Sequence, residues 1–197
     1  GSTMTSNPPN IITGGTPNTL PTIATKSVGA VLGMVPVNAV ARSGRSGAPR
    51  PIDQNLVDTI AFDLIRISAG PGALLVIHGS DAWAEAMQSL DMHVSQSSYD
   101  DVFDLIFASR NPVTPPPQGT ELLQPMIDAL MHLISKPGDD VLIPWAINAT
   151  LPLLVQAAGR QVHAITDSSI QSRRLGNAFD ADGSGISLTK EEPVSYT

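Results

Sequence analysis

The chain has 197 residues, 42% hydrophobic and 15% charged, with a formal net charge of −7. That length and apolar content suit one well-filled domain of about 150 residues plus a tail. There is no cysteine, which excludes a disulfide framework, a thiolate metal site and a cysteine nucleophile.

Gly1-Ser2-Thr3 ahead of Met4 reads as an expression scar, and the residues after Met4 lack the charged start and apolar core of a secretory signal. A cytoplasmic location is therefore expected. The first 22 residues are rich in proline, threonine, asparagine and glycine, a composition that buries too little apolar surface to offset chain entropy. The low-polarity run Val28 to Val40 is interrupted by Gly33, Pro36 and Asn38 and falls short of the roughly 20 residues a bilayer span needs. Ser43 to Pro51 is a second flexible stretch. Residues 1–52 contain Lys26, Arg42, Arg45 and Arg50 and no acid, a net of +4 against −11 for the remainder. They read as a flexible basic arm. Arg42, Arg45 and Arg50 would give it nucleic-acid phosphate contacts; a plain solvated linker is the competing reading.

Residues 53–167 read as helical. Asp53 caps a segment in which Leu56, Ile60, Leu64 and Ile67 recur at helical spacing, ended by Gly70-Pro71-Gly72. Ala73 to Ile77 is an apolar run, strand or buried helix. Trp83, Met87, Leu90 and Val94 form a second stripe after Ser80. A third helix is expected from Ser98, with Asp100 and Asp101 in its first turn and Val102, Phe103, Ile106 and Phe107 inward. The proline-rich stretch Asn111 to Gly119 is a semi-rigid linker. Thr120 then caps a helix carrying Leu122, Leu123, Met126, Ile127, Leu130, Leu133 and Ile134. Val141 to Ala158 is apolar nearly all round and is expected to be the central helix, kinked at Pro152. Gln161 to Thr166 is a short strand or a last turn. The fold class expected is all-α, an irregular bundle of about six helices with a disordered N-terminal arm.

No catalytic constellation emerges, and no enzyme is expected. His78, His93, His132 and His163 are scattered without ligand spacing. His78-Gly79-Ser80 is similar to an oxyanion-loop dipeptide but has no Gly-x-Ser-x-Gly elbow beside it. Asp100, Asp101 and Asp104 make an acidic face that ordinary helix-start charge explains. Gly29 to Gly33 lacks the lysine and the third glycine of a phosphate or dinucleotide loop.

The most patterned chemistry lies in residues 168–197. Asp180, Asp182 and Ser184 stand at positions one, three and five of a loop, Gly185 at six and Glu191 at twelve, after an entering helix that Ser168 or Ser169 can cap and that carries Ile170, Leu175, Ala178 and Phe179. This resembles the EF-hand calcium loop. Ile186 stands at position seven, and Ser187 at the eighth position, where the family carries its aliphatic residue. The resemblance implies Ca2+ as the ligand, held by Asp180, Asp182, Ser184, the carbonyl of Ile186 and Glu191. On this reading the chain is a non-enzymatic, calcium-associated helical protein-interaction module that binds a protein partner or itself. The alternative is a self-assembling structural protein, such as a viral or phage-type coat protein or nucleoprotein, with the basic arm on nucleic acid.

Overall fold

The computed structural model describes residues 8–36, 39–40, 52–77, 81–99, 103–112 and 124–183, which form three α/β/α layers. In chain order these are β1 (Asn10–Thr13), α1 (Thr16–Thr19), β2 (Ala30–Met34), α2 (Gln54–Ile67), β3 (Gly72–Ile77), α3 (Asp81–Ser89) and β4 (His93–Tyr99). Then come β5 (Phe103–Ser109), α4 (Gln124–Ile134), β6 (Asp140–Ile143), α5 (Thr150–Ala157), β7 (Gln161–Thr166) and α6 (Ser169–Gly183). One seven-stranded sheet has the order β1-β7-β6-β2-β3-β5-β4. Only β5 runs against its neighbours.

A strand buried on both faces has no polar side to show, so it reads as a continuous apolar run. Ala30-Val31-Leu32 and Val141-Leu142-Ile143 are such runs, and successive residues go to opposite faces. Val31, Leu142, Ile165 and Ile106 enter one core with Val57, Ile60 and Leu64 of α2 and Trp83 and Met87 of α3. Ala30, Leu32, Val141, Ile143 and Ala164 enter the other, with Ile127 and Leu130 of α4, Val155 of α5, and Leu175 and Phe179 of α6. Each fully buried aliphatic side chain contributes about 1.5–3 kcal/mol.

The expected all-α bundle is thus corrected to α/β. Val141 to Ala158 is a strand, a turn and a helix, because an apolar run of that kind serves a central strand as well as a buried helix. The helix expected from Ser98 is replaced by the pairing of β4 with β5. The disordered arm is corrected too: β1 pairs in parallel with β7, and β2 sits between β6 and β3. The boundary expected after residue 52 therefore cuts through the sheet. Two helix starts do agree with the sequence. Asp53 accepts the Leu56 N–H at 3.3 Å and Ser168 accepts the Gln171 N–H at 3.2 Å, capping α2 and α6 respectively.

Two features fix how the layers meet. A Cβ on Gly70 would lie 1.8 Å from the Gly29 carbonyl oxygen, so the two backbones touch there and only glycine fits. Arg160, 8% exposed, donates to the Met131 and Ser135 carbonyls at 3.0 Å each, to the Ala158 carbonyl at 2.8 Å and to the Ser135 hydroxyl at 2.9 Å. It thereby ties the ends of α4 and α5 together. Burial lowers its pKa from the ordinary arginine value, while Asp139 and Asp128 pull the other way. No helix among the described residues is long and apolar enough to cross a membrane.

Candidate functional site

In an open α/β sheet a ligand sits outside the carboxyl ends of the strands, where successive connections part to opposite sides. Here β6 leads through α5 to β7, whereas its neighbour β2 leads through α2 to β3, and the two helices belong to opposite cores. The parting therefore falls between β6 and β2. Around it lie the turn Pro144 to Ala149 after β6, Val35-Pro36 after β2, Gly14-Gly15 after β1 and Asp167 after β7. The described end of β2 presents no titratable side chain there.

The β1–β7 half is open and polar. Gly14 and Gly15 have φ of 136° and 83° and both donate their N–H to the Thr166 carbonyl, at 3.0 and 2.9 Å. Those angles favour glycine. A Cβ on Gly15 would stand 3.4 Å from Asp167 Oδ1, which places this exposed carboxylate beside the glycine pair. The Asp167 N–H donates to Gln171 Oε1 at 2.9 Å, fixing the first turn of α6 behind it. Thr13 and Thr166 both reach the Ser172 hydroxyl, at 2.6 and 2.5 Å. Two isoleucines are exposed near these strand ends: Ile147 at 50% in the β6 turn and Ile170 at 55% in the first turn of α6.

The turn after β6 is closed on itself. The Thr16 hydroxyl donates to the Pro144 carbonyl, the Ala146 N–H to the Ile165 carbonyl at 2.9 Å and the Ile147 N–H to the Trp145 carbonyl at 3.0 Å. The Thr150 N–H, at the start of α5, donates to Asn148 Oδ1 at 3.0 Å. Trp145 is 8% exposed and meets Trp83 of α3 edge-on, with ring centroids 6.0 Å apart. Such a pair contributes about 0.5–1.5 kcal/mol beyond its buried area.

The residues expected to hold calcium are not gathered by the described structure. Asp180 is exposed on α6, and Asp182 lies further along the same helix, which continues through Gly183. Ser184, Ile186 and Glu191 lie outside the described residues, as do His78, Ser80, Asp100, Asp101, Arg42, Arg45 and Arg50. No group of three histidines or acids suited to a metal ion occurs among the described residues. His163 contacts Asp140 at 2.8 Å and Asn10 at 3.1 Å, and all three lie in the β1, β6 and β7 strands rather than in the loops at the carboxyl edge. Gly14-Gly15 and Asp167 escaped the sequence reading. Their signal is that each directly succeeds a short run ending in threonine, Ile11-Ile12-Thr13 and Ala164-Ile165-Thr166.

No family model matches the chain, and no curated protein matches it. Solved structures do. A candidate DNA modification methylase from Thermus thermophilus aligns with a TM-score of 0.67 at 13% identity, over 90% of this chain and 97% of that one. The same protein complexed with S-adenosyl-L-methionine gives 0.65 at 13% identity, over 91% and 98%. PvuII DNA methyltransferase, specific for cytosine N4, gives 0.61 at 11% identity, over 89% and 86%. At these identities the likeness is one of fold alone. It overturns the EF-hand resemblance, which covered residues 168–197 alone. With it go the calcium-associated non-enzymatic module and the coat-type alternative, since the solved structures that share the fold are those of DNA methyltransferases.

Proposed function

We propose that this chain takes an adenosyl-type ligand, S-adenosylmethionine being the first candidate, at the carboxyl edge of its sheet and works in group transfer with nucleic acid as partner. The observation that carries the reading is Asp167. It is an exposed carboxylate at the end of β7, one strand from the parting point and about 20 residues beyond the β6 turn, where such folds place the acid that accepts from ribose hydroxyls. The adenosyl part fits what surrounds it: Gly15 keeps the space beside Asp167 free of a side chain, and Ile147 and Ile170 offer apolar surface to a base. The ligand has no phosphate, so a glycine turn for close phosphate approach is not required of β6. When bound, S-adenosylmethionine supplies an electrophilic methyl group.

The chain's own part is to hold and orient. Asp167 would accept from the ribose diol, and the Thr13, Thr166 and Ser172 hydroxyls fix the strand ends against α6. Nucleic acid as the partner is supported by the DNA methyltransferase neighbours and by where Arg42, Arg45 and Arg50 fall. They belong to the connection that leaves β2 at the carboxyl edge on its way to α2. Calorimetric titration with S-adenosylmethionine, run beside transfer of a labelled methyl group to DNA, tests the proposal. Binding that Asp167→Asn weakens by about tenfold or more is expected, since a hydrogen bond to a charged group is worth roughly 1.5–3 kcal/mol. No binding of any adenosyl compound would refute it, and binding without label transfer would confine the function to ligand recognition.

A further inference from the structure

We infer that the outward face of the first half of α6, carrying Arg173 and Arg174, is a contact surface for nucleic-acid phosphates. This rests on the reading of nucleic acid as the partner. Arg173 and Arg174 stand three and four positions after Ile170, so the three share one side of the helix, away from the buried Leu175 and Phe179. Both arginines are exposed. Ile170 lies in the first turn, three residues after Asp167, so this face continues from the β1–β7 half of the crevice.

The other described arginines serve the fold. Arg66 donates to the Leu20 and Ile23 carbonyls, Arg110 to those of Ile65 and Gly70, and Arg160 to those of Met131, Ser135 and Ala158. Arg173 and Arg174 have no hydrogen-bonded or ion-paired partner among the described residues. Helix stability does not account for them either. The helix dipole favours acids in the first turn and bases in the last, whereas Ser168 to Phe179 contains both arginines and no acid, and Asp180 and Asp182 come at the far end. In a chain of net charge −7, a half-helix that is positive where it begins at the ligand edge and turns negative away from it matches a polyanion approaching that edge. Guanidinium suits phosphate, because its planar fork donates two parallel N–H bonds and is more weakly hydrated than an ammonium.

The test is fluorescence anisotropy of a labelled DNA duplex with the full chain across a salt series. Arg173→Gln combined with Arg174→Gln is expected to lower the magnitude of the slope of log affinity against log salt by roughly 1–2, and Arg173→Lys with Arg174→Lys to restore it. Lys26→Gln with Lys136→Gln removes the same charge from exposed positions four residues before β2 and β6, at the opposite edge of the sheet, and should leave the slope unchanged. An unchanged slope in the arginine-to-glutamine pair, or equal losses in the arginine and lysine pairs, would overturn the inference while duplex binding by the unsubstituted chain keeps nucleic acid as the partner. No salt-dependent duplex binding by the unsubstituted chain would overturn both. Arginine-dependent capture by phosphatidylserine vesicles without duplex binding would also overturn both and assign the face to a membrane surface.

Discussion

At Gly70 one missing atom decides whether two segments can meet. The Gly29 carbonyl oxygen occupies the place a Cβ would need, at 1.8 Å. The Ala69 N–H meanwhile donates to the Val28 carbonyl at 2.7 Å, and Val28 bridges Ser68, so neither backbone can withdraw without losing bonds. Gly70→Ala is expected to cost at least about 3 kcal/mol, in the tail of single-substitution effects where a close backbone contact is broken. Urea denaturation monitored by circular dichroism measures this. A loss under about 1 kcal/mol, the ordinary range of a surface change, would show that the contact is not as tight as the geometry says. Gly138 is the control. Its φ of 87° also favours glycine, but a Cβ there would meet nothing within 4 Å, so Gly138→Ala should cost only about 1 kcal/mol of backbone strain.

At the level of elements, the N-terminal segment is where composition misleads most and where a deletion tells most. Polarity and proline predict a disordered arm, yet β1 adds an edge strand to the sheet, Leu20 is 1% exposed in the same core as Trp83, and Arg66 of α2 donates to the Leu20 and Ile23 carbonyls at 3.0 and 2.8 Å. Removing residues 1–24 is expected to cost several kcal/mol, through the lost strand pairing, an uncovered core and an arginine that loses two carbonyl acceptors. A disordered arm would leave the melting temperature unchanged, so a thermal scan of the truncated chain decides between them. The same physics explains what was legible. Helices with a polar face and a capping side chain announced themselves locally: Asp53 before α2, Ser168 before α6, and the stripe of Met126, Ile127 and Leu130 in α4. The strands did not, because β2 and β6 acquire their identity from partners far away in the chain, such as Val31 opposite Leu142. An apolar triplet carries no record of that pairing. The site was illegible for a related reason: Gly15 and Asp167 are 152 positions apart and become neighbours only when β1 docks on β7.

For the molecule as a whole, the question is how a chain of net charge −7 would approach a polyanion. The charge is uneven: the four basic side chains of residues 1–52 include Arg42, Arg45 and Arg50, all in the sequence between β2 and α2. Acidic residues elsewhere would repel a duplex from other approaches, so even a weak basic segment can orient as well as attract. Each phosphate neutralised contributes about 0.9 to the slope of log affinity against log salt. If these three arginines make the contacts, replacing all three with glutamine should lower the magnitude of that slope by roughly 2–3, with the fold and adenosyl binding intact. Fluorescence anisotropy with a labelled duplex across a salt series reads the slope directly. An unchanged slope would place the nucleic-acid contacts on other residues, whereas a slope near zero in the unsubstituted chain would remove nucleic acid as the partner and direct the search for an acceptor to small molecules reaching the same edge.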